Sequence, residues 1–97
     1  MKYTIYQVDP HFCDYAFEWW DWCKDEFNFS DYNLIYEGEI EVEDINKTLE
    51  DLFRIFNNER PSDFKGHSLS VSDLVEIDNK FYYCDSHGWI DITDRIK

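Results

Sequence analysis

His67, Ser68, Ser70, Ser72, Asp73, Asp85 and His87 crowd into the last third of the chain. These are residue types from which a nucleophile, a base and an orienting carboxylate can be assembled. A small hydrolase would use His67 and Asp73. Yet no G-x-S-x-G turn surrounds any serine. Closely spaced Ser and Asp ahead of a strand usually satisfy their own backbone in turns. The expectation is therefore that the protein is not an enzyme. His11, Cys13, Cys23, His67, Cys84 and His87 are potential metal ligands, but His11-x-Cys13 and Cys84-x₂-His87 belong to no paired zinc pattern. Buried free thiols account for the cysteines more simply. Glycines at 38, 66 and 88 form no phosphate-cradling loop. Neither a metal nor a cofactor is expected.

The carboxylates carry a stronger signal. Asp14, Glu18, Asp21 and Asp25 recur at i, i+4, i+7 and i+11, the spacing of one helical face. On a helix they span about 16 Å at 1.5 Å per residue. Their spacing of roughly 5–6 Å is comparable to successive phosphates along a nucleic-acid strand. Phe12, Ala16, Trp19 and Cys23 form a second stripe, and Tyr15, Phe17, Trp20 and Trp22 are apolar as well. One face cannot bury them all, which leaves aromatic surface for a partner. Glu37, Glu39, Glu41 and Glu43 alternate, which on a strand puts four like charges on one face. The bland alternative for all of these acids is a solvated, solubilising surface.

These groups need elements to position them. Residues 2–8 alternate as a strand, with Tyr3, Ile5 and Gln7 on one side and Thr4, Tyr6 and Val8 on the other. Asp9-Pro10 stops it and starts a helix over 11–26. A strand over 33–42 follows, Gly38 marking a bulge. Thr48 is the expected N-cap of a helix whose apolar stripe is Leu49, Leu52, Phe53 and Phe56, ending near Asn57-Asn58. Residues 74–77 and 80–85 form a hairpin about Asp78-Asn79, and 89–93 a last strand. The order β-α-β-α-β-β-β specifies an α+β fold, a small, mostly antiparallel sheet with two helices on one side.

The chain of 97 residues fits one domain, 1–97, and its 20% aromatic content supplies a core. Against 9 Lys+Arg stand 22 Asp+Glu, a net charge of −13. Such a field repels nucleic acids and anionic membranes and attracts basic surfaces. The imbalance is local, because residues 1–53 hold 14 acids and 3 bases whereas 54–97 hold 8 and 6. With no basic-then-apolar leader and no long apolar run, a cytoplasmic protein with reduced cysteines is expected.

Phe56-Asn57, Pro61, Asp63-Phe64, Gly66-His67-Ser68-Leu69-Ser70-Val71-Ser72-Asp73-Leu74-Val75 and then Tyr82-Tyr83-Cys84-Asp85-Ser86 with Gly88-Trp89 resemble the YodL-like domain. Tyr6-Gln7, Asn33–Gly38 and Thr48-Leu49-Glu50 fit the same pattern. The resemblance implies a Gram-positive bacterial setting, on plasmids or conjugative elements, and brings no mechanism. The acidic, Trp-rich helix lies outside the motif. By analogy with small acidic proteins of mobile elements, the expected function is a protein-binding inhibitor or regulator, a DNA mimic blocking a host defence nuclease of the CRISPR or restriction type. Asp14, Glu18, Asp21, Asp25, Glu37, Glu39, Glu41 and Glu43 would supply charge, and Trp19, Trp20 and Trp22 the anchors. The expected partner is a basic, nucleic-acid-binding host protein. An accessory interaction module of a conjugative element, binding through GHSLSVSD without mimicry, is the alternative. The hydrolase is a remote third.

Overall fold

The alternation of Lys2–Val8 yields strand β1, which becomes the second strand of a five-stranded antiparallel sheet. A computed structural model describes residues 1–96. It shows the α+β class expected, in the order β1, α1 (Trp20–Cys23), β2 (Tyr32–Glu39), α2 (Ile45–Asn58), β3 (Leu74–Ile77), β4 (Lys80–Asp85), β5 (Gly88–Asp91) and α3 (Thr93–Ile96). The spatial order is β2-β1-β3-β4-β5. Asp78 and Asn79 make the β3–β4 turn with φ of 54° and 64°. Two consecutive positive φ values give the mirror-image turn whose twist matches the flanking strands.

The two faces of the sheet are covered differently. On one, Tyr3, Ile5, Val75 and Ile77 pack against Leu49, Leu52 and Phe56 of α2 and against Leu69. Leu49, Leu52 and Phe56 are fully buried, as their spacing predicts, while Phe53 at the stripe's margin stays 37% exposed. On the other face, Val8, Leu74, Phe81 and Tyr83 pack against Tyr15, Trp20 and Cys23 from the segment 9–31. The helical material is thus divided between the faces, not gathered on one side. Cys23 and Cys84 are buried and Cys13 half-buried, all three as free thiols.

Several local expectations are corrected. The segment 11–26 is not a helix. It is a chain of turns with a single helical turn at Trp20–Cys23. Asp9 does turn the chain, accepting from the His11 N–H at 2.9 Å. Propagation fails at Phe17, whose φ of 68° lies outside any right-handed helix. Phe17 is held there by donating its N–H to Ser72 Oγ at 2.9 Å, and Ser72 itself has φ 85°. A tertiary hydrogen bond outweighs a helix preference worth tenths of a kcal/mol per residue.

The bulge in β2 lies at Ile35, because Ile5 pairs with Tyr36 and Tyr6 with Leu34. Gly38 instead sits opposite Tyr3, whose ring lies across it. A Cβ there would fall 2.4 Å from the Tyr3 hydroxyl oxygen. Helix α2 begins one turn before Thr48, since Asp44 accepts from the Asn46 N–H at 3.0 Å and is the real cap. Thr48 is buried within the first turn. Thr93 leaves the last strand and opens α3, its N–H bonded to Asp91 Oδ1 at 2.9 Å.

Candidate functional site

The segment 9–31 is a lobe with a buried side and an outward side. Trp20 anchors the buried side. Its ring centre lies 4.9 Å from that of Tyr83, at a tilt, and 5.2 Å from that of Phe27, edge to face, and the Arg95 guanidinium covers it. Cys23 Sγ lies 3.0 Å from the Tyr83 hydroxyl, which donates to the Glu18 carbonyl at 2.7 Å. Tyr15 donates to Asp31 at 2.8 Å and takes the Asn28 N–H at 3.2 Å. Burial, and then the Asp31 carboxylate, push the Tyr15 hydroxyl well above its ordinary range. These rings explain why the aromatic surplus of this segment is only partly surplus.

The outward side carries Phe12, Phe17, Trp19 and Trp22. Trp22 is 74% exposed, while Trp20 is 9% exposed and therefore cannot serve as an exposed anchor. Asp14, Glu18, Trp22 and Glu26 line one shallow depression of about 230 Å3, floored by Tyr15 and Cys23. Three carboxylates thus flank an exposed indole. Asp21 and Asp25 are exposed but are not part of that lining, and Asp21 lies 3.9 Å from Lys24. The expected single helical face of Asp14, Glu18, Asp21 and Asp25 does not exist, because the helix that would align them is broken at Phe17. Glu26 joins Asp14, Glu18 and Trp22 at the same four-residue step, outside the stripe read from the sequence.

The second acidic set also divides. Glu37 and Glu39 share a face of β2, but the strand ends at Glu39, so Glu41 and Glu43 do not extend that face. All four are exposed. Their mutual repulsion on β2 is offset locally, as Lys2 pairs with Glu37 and the Met1 amino group lies 3.5 Å from Glu39.

The structure does bring His67 and Asp73 together, with Nε2 and Oδ1 3.9 Å apart. Their surroundings are those of a clasp. Gln7 Nε2 donates to the His67 carbonyl and to Asp73 Oδ2, both at 3.0 Å. The Ser70 N–H donates to the same Oδ2 at 2.7 Å, and Asn57 Nδ2 donates to the Leu69 carbonyl at 3.0 Å. Leu69 plugs the core under α2. Burial pushes the Asp73 carboxyl up to about 8, against the opposing pull of the Ser70 and Gln7 donors. His67 Nδ1 is engaged by the Ser68 carbonyl at 2.7 Å. Nε2 is buried against Asp73. The Ser70 hydroxyl donates to the Ser68 carbonyl, and the Ser72 hydroxyl receives the Phe17 N–H. No ring nitrogen therefore faces a serine hydroxyl among these bonds.

Gly66 makes the clasp possible. A Cβ there would come within 2.3 Å of Gln7 Oε1 and 2.7 Å of Ile35 Cγ2. Gly66→Ala is expected to destabilise the fold by about 1–3 kcal/mol through overpacking. A lowered urea midpoint at unchanged slope would show it.

No curated protein and no solved structure matches the chain. The YodL-like domain family matches over residues 2–94. The match takes in β1 with Gln7, the Asn57 end of α2 and the whole Gly66–Asp73 loop, the parts from which the clasp is built. The chain belongs to the YodL-like domain family.

Proposed function

We propose that this YodL-like domain is an acidic protein-binding module, acting in the cytoplasm as an inhibitor or regulator of a basic, nucleic-acid-binding protein. The observation that carries this reading is Trp22, 74% exposed and set among Asp14, Glu18 and Glu26. An exposed tryptophan has a large apolar area to bury, and tryptophan is enriched among residues that dominate binding energy. The carboxylates around it select a cationic partner and speed its approach. A host defence nuclease with a basic nucleic-acid channel is the target class this reading names first. The net charge of −13 supports that choice. The irregular lobe favours recognition of a particular basic surface over a regular imitation of the phosphate ladder, because even spacing needs the continuous helix.

The alternative module, binding through GHSLSVSD, draws less support. The Asp73 carboxylate and the His67 and Leu69 carbonyls of that segment are spent on internal bonds.

Capture from a host lysate by the immobilised chain tests the proposal. Wild type is expected to retain a defined set of basic proteins at low salt and to release them as salt rises. Asp14→Lys with Glu18→Lys should abolish capture. Trp22→Ala should weaken it at least tenfold without altering net charge, which separates docking from simple ion exchange. Equal capture by Trp22→Ala and wild type would overturn the reading.

A further inference from the structure

A second concavity, of about 310 Å3, lies between α2 and the turn joining β4 to β5. Its walls are Phe53, His87 and Trp89, and its carboxylates are Glu50 and Asp85. Glu50 and Phe53 stand at i and i+3, so they share one side of α2. Trp89 pairs across the hairpin with Cys84. The basic residues flanking Glu50 on α2 are engaged elsewhere, Lys47 with Asp51 at 3.0 Å and Arg54 with Glu59. Asp85 spends Oδ1 on the Trp20 N–H at 3.0 Å, which leaves its second oxygen as an acceptor. The floor is Cys84, whose buried thiol is pushed up, first by desolvation and then by Asp73, Glu50 and Asp85. It offers no thiolate to react.

The cleft adjoins the lobe, since the Trp19 and His87 rings lie 6.2 Å apart. We infer that this cleft receives an arginine side chain of the basic partner, its guanidinium between the aromatic walls and its N–H groups on Glu50 and Asp85. The inference rests on the proposed function, because it presumes a basic partner seated on the adjoining lobe. Arginine suits the site better than lysine. Its planar head stacks on aromatic rings while its edge donates to carboxylates. At about 310 Å3 the cleft has room for a guanidinium head.

The test is a titration of the isotope-labelled full chain with acetyl-Gly-Arg-Gly-amide, followed by amide and indole NMR shifts. The control is the same peptide with citrulline, which keeps the shape and loses the charge. Saturating shifts are expected at Phe53, at Asp85 to Trp89 and at the Trp89 indole N–H. The citrulline peptide should bind at least about tenfold more weakly. Glu50→Gln, at an exposed helix position, should weaken the arginine peptide similarly without changing the fold. Asp85→Asn, which keeps an acceptor for Trp20, should do the same. Equal shifts from both peptides, no shifts, or shifts confined to Asp14, Glu18 and Trp22 would overturn the inference. If that happens while lobe-dependent capture of basic proteins persists, the cleft is wrong and the proposed function stands. Arginine binding in the cleft without lobe-dependent capture would instead uphold the cleft and remove the proposed function.

Discussion

Asp73→Ala is expected to lower stability by about 3–5 kcal/mol, because it empties a fully buried position and removes the acceptor shared by Gln7 Nε2 and the Ser70 N–H. For a domain whose total stability is on the order of 5–10 kcal/mol, that lowers the melting temperature by roughly 15–25 °C. Asp73→Asn separates charge from shape. Its amide oxygen can still accept both donors, and its N–H can face His67. The wild-type carboxyl holds its proton up to about pH 8 in the folded chain, whereas an unfolded aspartate releases it near pH 3.9. Between those values the folded chain binds more protons than the unfolded chain. Stability from this group is therefore complete below about pH 4, falls as pH rises through that window, and is lost above about pH 8. The loss is on the order of several kcal/mol. Asp91, held below its usual range chiefly by the Thr93 hydroxyl, contributes in the opposite sense, losing stability as pH falls. Asp73→Asn should thus remove the decline between about pH 4 and 8 and leave the acid limb in place. Melting curves of both chains across pH check this. An Asn variant with an undiminished slope would assign the decline to other groups.

Two atoms at this contact are orphaned. Asp73 Oδ1 and His67 Nε2 are both buried without a hydrogen-bond partner. With Oδ2 accepting from Gln7 and Ser70, the hydroxyl of a neutral carboxyl belongs on Oδ1. His67 donates from Nδ1 to the Ser68 carbonyl and turns Nε2 toward Asp73. The 3.9 Å separation is about 1 Å beyond a good hydrogen bond. The two side chains therefore face each other without a hydrogen bond between them.

The second large effect concerns two tryptophans two positions apart. Trp20→Ala is expected to cost about 3–5 kcal/mol by emptying the space between Phe27, Tyr83 and Arg95. Trp22→Ala should change stability by less than about 0.5 kcal/mol, as surface substitutions usually do. Hydrogen exchange should report the Trp20 loss first in residues 9–31, with the β1–β3–β4 amides protected until global unfolding. Equal destabilisation by the two substitutions would mean that the lobe does not divide into a buried and an outward side.

The contrast also measures what is legible in the sequence. Strands β1, β3 and β4 and the α2 stripe follow a short period, and the alternation of Lys2–Val8 or the Leu49-Leu52-Phe56 spacing is decided locally. The lobe is decided at long range. Trp20 is buried against Tyr83, and Phe17 is bent by Ser72. No window of the sequence contains those partners, so a helical period shows where the chain makes turns. The fold brings only part of the candidate set together. Asp14, Glu18 and Trp22 share one depression although the continuous helix that their four-residue spacing suggests is absent. The GHSLSVSD motif is visible as a pattern. Its role is hidden, because it depends on Gln7, 60 or more residues away.

The three thiols occupy three different depths of this architecture. Cys13 is half-buried in the lobe, Cys23 lies under it against Tyr83, and Cys84 lies in the central hairpin beneath the clasp. A thiol-reactive dye should therefore read a hierarchy of opening. Cys13 should modify first, Cys23 at the rate at which the lobe lifts from the sheet, and Cys84 only as the whole domain opens. Engagement of a partner on the lobe would slow Cys13 and Cys23 by local protection, and Cys84 only through the stabilisation that any ligand of the folded state adds against global opening. The chain thus carries its own clock for distinguishing docking from general stabilisation.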